Sequence, residues 1–434
     1  MSSTTLTSTR LTAAQIREMC IEAGADDVGF VSVERPEIAD QLEDIRTLLP
    51  TARTLIAFVV RMNREPIRTP ARSLANMEFH ETGDVVNEVG RRVVTLLERR
   101  GVRAINPPMG FPMEMDRFPG KVWMVSHKPI AVAAGLGHMG IHRMVIHPKF
   151  GNFILLGTIV TDLELASEEE GAAIDFNPCL ECKLCVAACP VGAVAADGRF
   201  DFSACYTHNY REFMGGFTDW TEQIADSKTA HEYRARVNDS ESASMWQSLS
   251  FGANYKAAYC MAVCPAGEDV IAPFQRDRKA FVADVVKPLQ QKTETIYVLA
   301  DSDAEKHVAK RFPHKQTKRV GNSLRPSHVR GFLDGMSLVF QPGRAVDLDA
   351  TYHFTFIDDD VTGESEATVV IRDGTIHVRR GLHSDADVHV TADAATWIGY
   401  LRGERNMIWS VLTRRVKVKG PIALLQAFER CFPR

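Results

Sequence analysis

No stretch of the chain holds the roughly 20 consecutive apolar residues that a membrane-spanning helix requires. The longest apolar candidates, such as "FILLGTIV" at 153–160, have strand length. The opening "MSSTTLTSTR" lacks a basic segment followed by an apolar one, so neither a secretory nor a twin-arginine export signal is expected, and the expected location is the cytoplasm. A surplus of positive charge is missing too. The formal net charge of −4 gives no global attraction to nucleic acid, which is not expected as a partner, or to anionic membrane. No internal repeat is present. What remains is ordinary for a globular chain of 434 residues, with 45% hydrophobic and 24% charged residues, enough for two or three domains.

One feature is far from ordinary. "NPCLECKLCVAACPVGAV" (177–194) packs Cys179, Cys182, Cys185 and Cys189 into a C-x2-C-x2-C-x3-C-P run. In a reducing compartment such a cluster binds metal or does redox chemistry rather than forming disulfides. A structural zinc ion usually draws two separated pairs of ligands, whereas these four are crowded into one run. The spacing is that of bacterial ferredoxins, in which the cysteine before the proline ligates the other of two clusters. A second site is therefore required. "YCMAVCPAG" (259–267) supplies Cys260 and Cys264 before a proline. By the exchange rule, Cys179, Cys182, Cys185 and Cys264 hold one 4Fe–4S cluster, and Cys189, Cys205 and Cys260 hold the second.

That arrangement has seven thiolates where two full cubanes want eight. A full second motif would put a cysteine at position 257, which is Ala257. The second cluster then has a non-thiolate fourth ligand or is a 3Fe–4S cluster. His208 and the distant Cys20 are the substitutes in view. Cys20 and Cys431 each sit on an apolar helix face and read as small buried hydrophobes.

Four regions follow from the patterning. Residues 1–165 alternate helix and strand signals: a helix at 11–24, strands at 26–33 and 53–61, a helix over 83–101 with Val86, Val89, Val93 and Leu96 at helical spacing, and a buried strand within 151–165. Residues 166–290 hold seven of the nine cysteines, and between Cys205 and Cys260 irregular helix and loop are expected. Residues 291–330 read as a connector with one strand and one helix. From Lys306 to Arg330 this connector carries eight Lys or Arg and no acid, a solvated face or a docking strip for an acidic donor or anionic lipid. Residues 331–434 predict a small antiparallel sheet with helices on one face. Tyr352, Phe354 and Phe356 alternate there, and "RDGT" at 372–375 signals a hairpin. The fold class is α+β.

In the order "AGLGHMGIHRMVIHPKFGNFILLGTIVTDLEL" (134–165), the four-cysteine run, "FDFSACYTHNY" around Cys205 and "CMAVCP", residues 11–290 resemble the iron–sulfur oxidoreductases that include epoxyqueuosine reductase and the reductive dehalogenases. The resemblance implies a nitroreductase-like α+β domain, a ferredoxin-like two-cluster domain and a cobalamin beside the nearer cluster. It implies a reductase passing electrons from cluster to cluster to cobalt, with reduced ferredoxin or flavodoxin as donor. Where epoxyqueuosine reductase keeps an acidic proton donor, the register places Lys121, with Asp116 the nearest acid. "GLGHMG" (135–140) is literally G-x-G-x-x-G, but a dinucleotide fingerprint needs a strand before it and a helix after it, and the flanks read the other way round. Gly135, Gly137 and Gly140, with His142, fit the close approach of a large flat corrinoid instead. His127, His138 and His142 flank the loop, and Lys121 and His127 are the candidate proton donors by position.

Residues 325–434 resemble the sterol-carrier-protein type two fold through "VIRDGTIHVRRG", "DADVHVTAD" and "RRVKVKGPIALLQAFERCF". The resemblance implies a lipid-binding tunnel. Phe354, Phe356, Trp397, Met407, Trp409 and Phe428 either line such a tunnel or fill the core of a small domain. Two functions are carried forward. One is a reductase acting on a small or hydrophobic substrate. The other is an electron-transfer or lipid-delivery protein without corrinoid chemistry of its own. A flavin in place of cobalamin is the third arrangement.

Overall fold

The computed structural model describes residues 11–118, 120–179, 181–358, 363 and 365–433. The opening ten residues, on which the export-signal reading rests, lie outside the described residues. Helix α1 (Ala13–Ala23) starts where Thr12 and Gln15 form a reciprocal capping box, and it stops at Gly24, whose φ of 116° a side chain would resist. Strands β1 (Asp27–Ser32), β2 (Thr54–Arg61), β3 (Ala104–Ile105) and β4 (Ile154–Thr161) form a sheet of order β1-β2-β4-β3 with every neighbour antiparallel.

The period of two along β2 sends Ile56, Phe58 and Val60 into one core and Leu55, Ala57 and Val59 into another, so both faces of the sheet are covered. Helix α2 (Arg72–Glu98) covers the first face with Val86, Val89, Val93 and Leu97. It begins well before the expected Gly83, because a glycine inside a helix is tolerated where a Cβ would strike a neighbour, here Met109. Helix α3 (His127–Ala133) covers the second face.

The stretch after Cys205 is more regular than expected. Helices run at Phe202–Asn209, Gly215–Ala225, Ala230–Arg236 and Asp239–Phe251. Their starts are fixed by Asp201, Thr229 and Asn238, each accepting a backbone N–H. The last of them buries only Met245 and Ser248, so little apolar periodicity was available to announce it.

Residues 291–330 are more than a connector. β5 (Thr295–Leu299) and β6 (Gln316–Val320) pair in parallel across helix α4 (Asp303–Arg311), a strand beyond the one expected. Ile296, Val298, Val308 and Phe312 belong to the same apolar core as α2 and the cysteine region. The basic run is largely consumed within the molecule. Lys315 is buried and bonds Leu289 O, Lys292 O and Glu294; Lys318 pairs with Glu241, Arg319 with Glu305 and Arg325 with Glu222.

The C-terminal region has its own core and a five-stranded sheet of order β9-β8-β7-β10-β11, from β7 (Ala350–Ile357), β8 (Glu366–Arg372), β9 (Thr375–Arg380), β10 (Val388–Asp393) and β11 (Val416–Lys419). Asp373 and Gly374 both take positive φ, 50° and 66°, in the expected two-residue hairpin. The sheet departs from pure antiparallel at one pair, β7 with β10, which is parallel. No helix among the described residues is long and apolar enough to cross a membrane.

Candidate functional site

The four-cysteine run is held by its own backbone. Asn177 Oδ1 accepts the Cys179 N–H at 3.1 Å, which turns the chain into the run. Leu184–Ala188 makes one short helix, after which Cys189 and Pro190 leave it. Cys264 arrives from the far side of the sequence at the end of the short helix Tyr259–Ala262. Its position is fixed by a backbone crossing: Gly151 lies against the Ala266 carbonyl and Gly267 against the Gly151 amide, with Glu268 N–H donating to Pro148 O and Asp269 N–H to Lys149 O, both at 2.9 Å.

Cys179, Cys182, Cys185 and Cys264 thus line one cavity of about 580 Å³, together with His142, Phe176, Phe274 and Arg278. The thiols ring a volume. Among the described residues no three His, Cys, Asp or Glu gather as tightly as the ligands of a single ion would. A second group lies deeper. Cys205 feels the charge of Cys260 and Cys189, and Cys260 that of Cys189. Cys260 also acts on Cys185 and Cys264, so the two groups of thiols adjoin.

Burial pushes the Cys182, Cys185, Cys189, Cys205, Cys260 and Cys264 thiols up, Cys260 and Cys264 each to about 12 and Cys185 and Cys205 further, with neighbouring thiols adding to the effect on most of them. Bare, they are neutral. Metal ligation deprotonates a thiol outright, and the surroundings are arranged for the anionic form. The Cys189 sulfur is ringed by the N–H groups of Val191, Gly192, Ala193 and Val194, with Ala193 at 3.2 Å. Cys182 and Cys264 receive N–H groups from Leu184 and Ala266. Arg68 and Arg72 bury guanidinium nitrogens without acceptors, and Cys264 and Cys260 respectively are among their charged neighbours. Arg68 Nη1 reaches Glu65 at 3.6 Å and Arg72 Nη1 donates to Ile67 O and Thr69 O, so it is the remaining buried guanidinium N–H groups, beside thiols supplied with N–H donors, that suit an anionic iron–sulfur cluster.

The proposed substitutes for an eighth thiolate lie elsewhere. His208 is buried, its Nδ1 accepts the Tyr297 N–H, and the charges acting on it are Glu294, Lys256, Lys315 and Lys292 rather than thiols. Cys20 is packed in the core with Arg17 as its charged neighbour, and Cys431 donates to Ala427 O, so both are the buried hydrophobes expected.

The candidate donors have structural work. Lys121 pairs with Asp44 at 2.7 Å and donates to Asp40 O. His127 is buried between Thr158 Oγ1 at 2.9 Å and Pro108 O at 3.0 Å, and burial lowers its pKa. The glycine loop is preceded by α3 and followed by extended chain, so it is no dinucleotide turn. Nor does it cradle a cofactor at its three glycines. The space beside Gly135 is taken by the Ala172 carbonyl, beside Gly137 by the Ile146 carbonyl, and beside Gly140 by the His142 ring. His142 faces the first cavity with its Nε2 buried and unpartnered, and burial, with Lys128 nearby, lowers it to about 4.

Sequence reading missed the surroundings of the second group. Cys205, Cys260, Tyr210, Tyr255 and Lys128 all keep accessible surface, yet burial dominates the titration of each. They gather around the second group of thiols. Lys128 donates from Nζ to Arg143 O at 2.7 Å and has Cys205 and Cys260 as its opposite charges. Tyr210, Phe213 and Tyr255 stack edge and face at 4.7–5.6 Å, and Phe111, half exposed, continues this wall outward from Phe213. No local spacing signals this set, because its members come from four separate parts of the chain.

A model of the SCP-2 sterol transfer family matches residues 341–433. The chain is also similar to epoxyqueuosine reductase of Vibrio cholerae, 30% identical over 91 residues, which are 21% of this chain and 24% of that protein. It is similar to tetrachloroethene reductive dehalogenase of Dehalobacter restrictus, 28% identical over 143 residues, 33% of this chain and 24% of that one. A solved reductive dehalogenase, described as suggesting a mechanism for B12-dependent dehalogenation, overlays with a TM-score of 0.37 at 15% identity, covering 57% of this chain and 37% of that one. The chain spans about a quarter of the length of the two curated relatives. The sequence matches support the resemblance to both reductases and the presence of a C-terminal SCP-2 segment.

Proposed function

We propose that the chain is an iron–sulfur reductase that carries electrons inward through two clusters to a cobalamin. The observation that carries this reading is the gathering of seven cysteines, four around one cavity and three beside Lys128, Tyr210 and Tyr255. Cys179, Cys182, Cys185 and Cys264 ligate the outer 4Fe–4S cluster. Cys189, Cys205 and Cys260 ligate the inner one, which lacks a fourth thiolate. The space bounded by Tyr210, Tyr255 and Lys128 is where the cobalamin sits, rather than at the glycine loop. When bound, cobalamin supplies a low-valent cobalt that reduces or attacks the substrate. The chain itself supplies N–H donors that hold the thiolates, aromatic walls that keep water from that space, and a Lys128 ammonium able to hold a proton at Nζ.

A reduced ferredoxin or flavodoxin is the proposed electron source. Within the 306–330 strip Lys315, Lys318, Arg319 and Arg325 are spent on internal partners, which leaves the exposed Lys306, Lys310 and Arg311 as its docking charges. The C-terminal region is proposed to hold a lipid-like ligand, from the sterol-transfer match. Phe354, Phe356, Trp397 and Phe428 are buried together there, and Trp397 Nε1 and Thr396 Oγ1 are buried polar atoms without partners, suited to a ligand's polar end. Trp409, by contrast, is exposed and lines no tunnel.

The test is anaerobic purification of the full chain with added cobalamin. About seven to eight irons per chain and a retained corrinoid spectrum are expected. Intact clusters without corrinoid would favour plain electron transfer, a flavin spectrum would replace the cobalamin, and colourless protein containing zinc would end the reading.

A further inference from the structure

The C-terminal region presents one helix the wrong way round for a globular surface. Met407–Leu412 is capped by Asn406 and turns Ser410 and Met407 toward the body. Its outer face is the apolar one: Ile408 is 71% exposed, Trp409 68%, Leu412 69% and Val411 42%. At 100° per residue these four side chains occupy one contiguous arc. Single exposed apolar residues need no explanation, but four adjoining ones that include a tryptophan mark a contact surface.

The charge around this arc is one-sided. Between Arg402 and Lys419 stand six Lys or Arg and one acid, Glu404, in a chain whose net charge is −4. Glu404 is paired with Arg402. Arg405, Arg414, Arg415, Lys417 and Lys419 are exposed, and the ion pairs among the described residues leave them unpaired. Exposed Trp, Ile and Leu rimmed by Arg and Lys are suited to an interface that is apolar beneath and anionic at its rim.

We propose that this face docks on the surface of an anionic lipid bilayer, with Ile408, Trp409 and Leu412 entering the boundary between headgroups and acyl chains and the basic rim meeting lipid phosphates. A helix of under two turns, with its apolar residues at its tip, offers little contact area to an acidic protein. A bilayer needs only this shallow apolar tip and positive charge within a Debye length of its headgroups. The proposal is independent of the clusters.

The experiment is co-sedimentation of the full chain with vesicles of equal parts phosphatidylcholine and phosphatidylglycerol, and with phosphatidylcholine alone. Binding to the mixed vesicles at low salt is expected, falling about tenfold or more on pure phosphatidylcholine or in high salt. The double substitution Ile408→Glu with Leu412→Glu is expected to weaken binding by about tenfold or more, with circular dichroism and cluster absorbance unchanged. Should that variant misfold, quenching by lipids brominated on their acyl chains decides instead: wild-type tryptophan fluorescence is quenched and that of Trp409→Phe is not. Failure to bind mixed vesicles overturns the proposal. So does binding that ignores salt and both variants, or self-association of the free protein that the glutamates cure. None of these outcomes touches cluster content, so the reductase reading stands or falls separately.

Discussion

On the proposed two-cluster reading, position 257 sets how many irons the inner site keeps. Ala257 is buried, its N–H held by Asn209 Oδ1 at 2.9 Å, and Ala258 beside it takes φ of 54° to start the helix that carries Cys260. Where a thiolate would complete a cubane there is a methyl group. Ala257→Cys is therefore expected to raise the iron content by about one per chain and to remove the paramagnetic signal of an oxidised three-iron cluster; an unchanged signal would show that position 257 does not face the open corner. The two ligand sets should also separate on substitution. Cys264→Ser is expected to bleach the outer cluster and Cys205→Ser the inner one, each leaving about half the absorbance. Loss of neither cluster on Cys205→Ser would break the assignment. Lys128 adds a positive charge beside Cys205 and Cys260, and a cation favours the reduced, more anionic cluster. Lys128→Met should lower the inner cluster's reduction potential by on the order of 50–100 mV, read by potentiometric titration, and leave the outer one nearly unmoved.

Among the elements, the tightest constraint on the site is the backbone crossing of Gly151 and Gly267. Gly151 has φ of 67° and Gly267 of 108°, and a Cβ on either would run into the backbone of the other turn. Gly267→Ala is expected to cost roughly 1–3 kcal/mol of stability from the backbone alone, and to loosen Cys264 first, so that the outer cluster is lost on mild heating before the inner one. Simultaneous loss of both would place the strain elsewhere. The glycines show what a sequence discloses and what it hides. Gly101 and Gly374 announced their positive φ because they sit at an element's end and in a hairpin, whereas Gly135, Gly137 and Gly140 are glycines because distant carbonyls and a histidine ring press on them. Strands β1, β2 and β4 were legible from apolar runs. The helices between residues 202 and 251 were not, since capping and polar contacts rather than an apolar stripe hold them. The second strand of the β5–β6 pair was hidden in "QTKRV", whose residues are largely exposed, and the parallel β7–β10 pair cannot be told from an antiparallel one by alternation. The cysteine sets were legible because ligand spacing is local, but the aromatic wall and Lys128 were not, because only the folded chain brings them together.

Across the whole molecule, three buried or half-buried carboxylates fasten the β5–β6 unit and the helices around it to the cysteine region. Glu294 bonds Lys315 at 2.7 Å and Tyr259 at 2.6 Å, one residue before Cys260; Glu241 bonds Lys318 and Tyr297; Glu212 bonds Lys256, Ser244, Ser248 and Asn254. Burial alone would push these carboxyls up, but their lysine and hydroxyl partners outweigh it and hold all three below the usual 4.5. A carboxyl depressed in the folded state contributes its full stability above about pH 4.5 and loses it as the pH falls through the folded pKa. Acid should therefore release the β5–β6 unit before β2 and β4, the central strands of the first sheet, which are packed in apolar cores on both faces. Hydrogen exchange at decreasing pH is expected to expose amides of 295–299 and 316–320 while those of β2 and β4 stay protected. Lys315→Met on its own leaves Glu294 with only the Lys292 ammonium at 3.2 Å and the Tyr259 hydroxyl, and should destabilise by about 1–3 kcal/mol. Combined with Glu294→Gln, it should instead flatten the acid dependence of exchange in that unit. An acid limb unchanged in the double variant would mean that the seat of Cys260 is held by packing, and that these ion pairs merely accompany it.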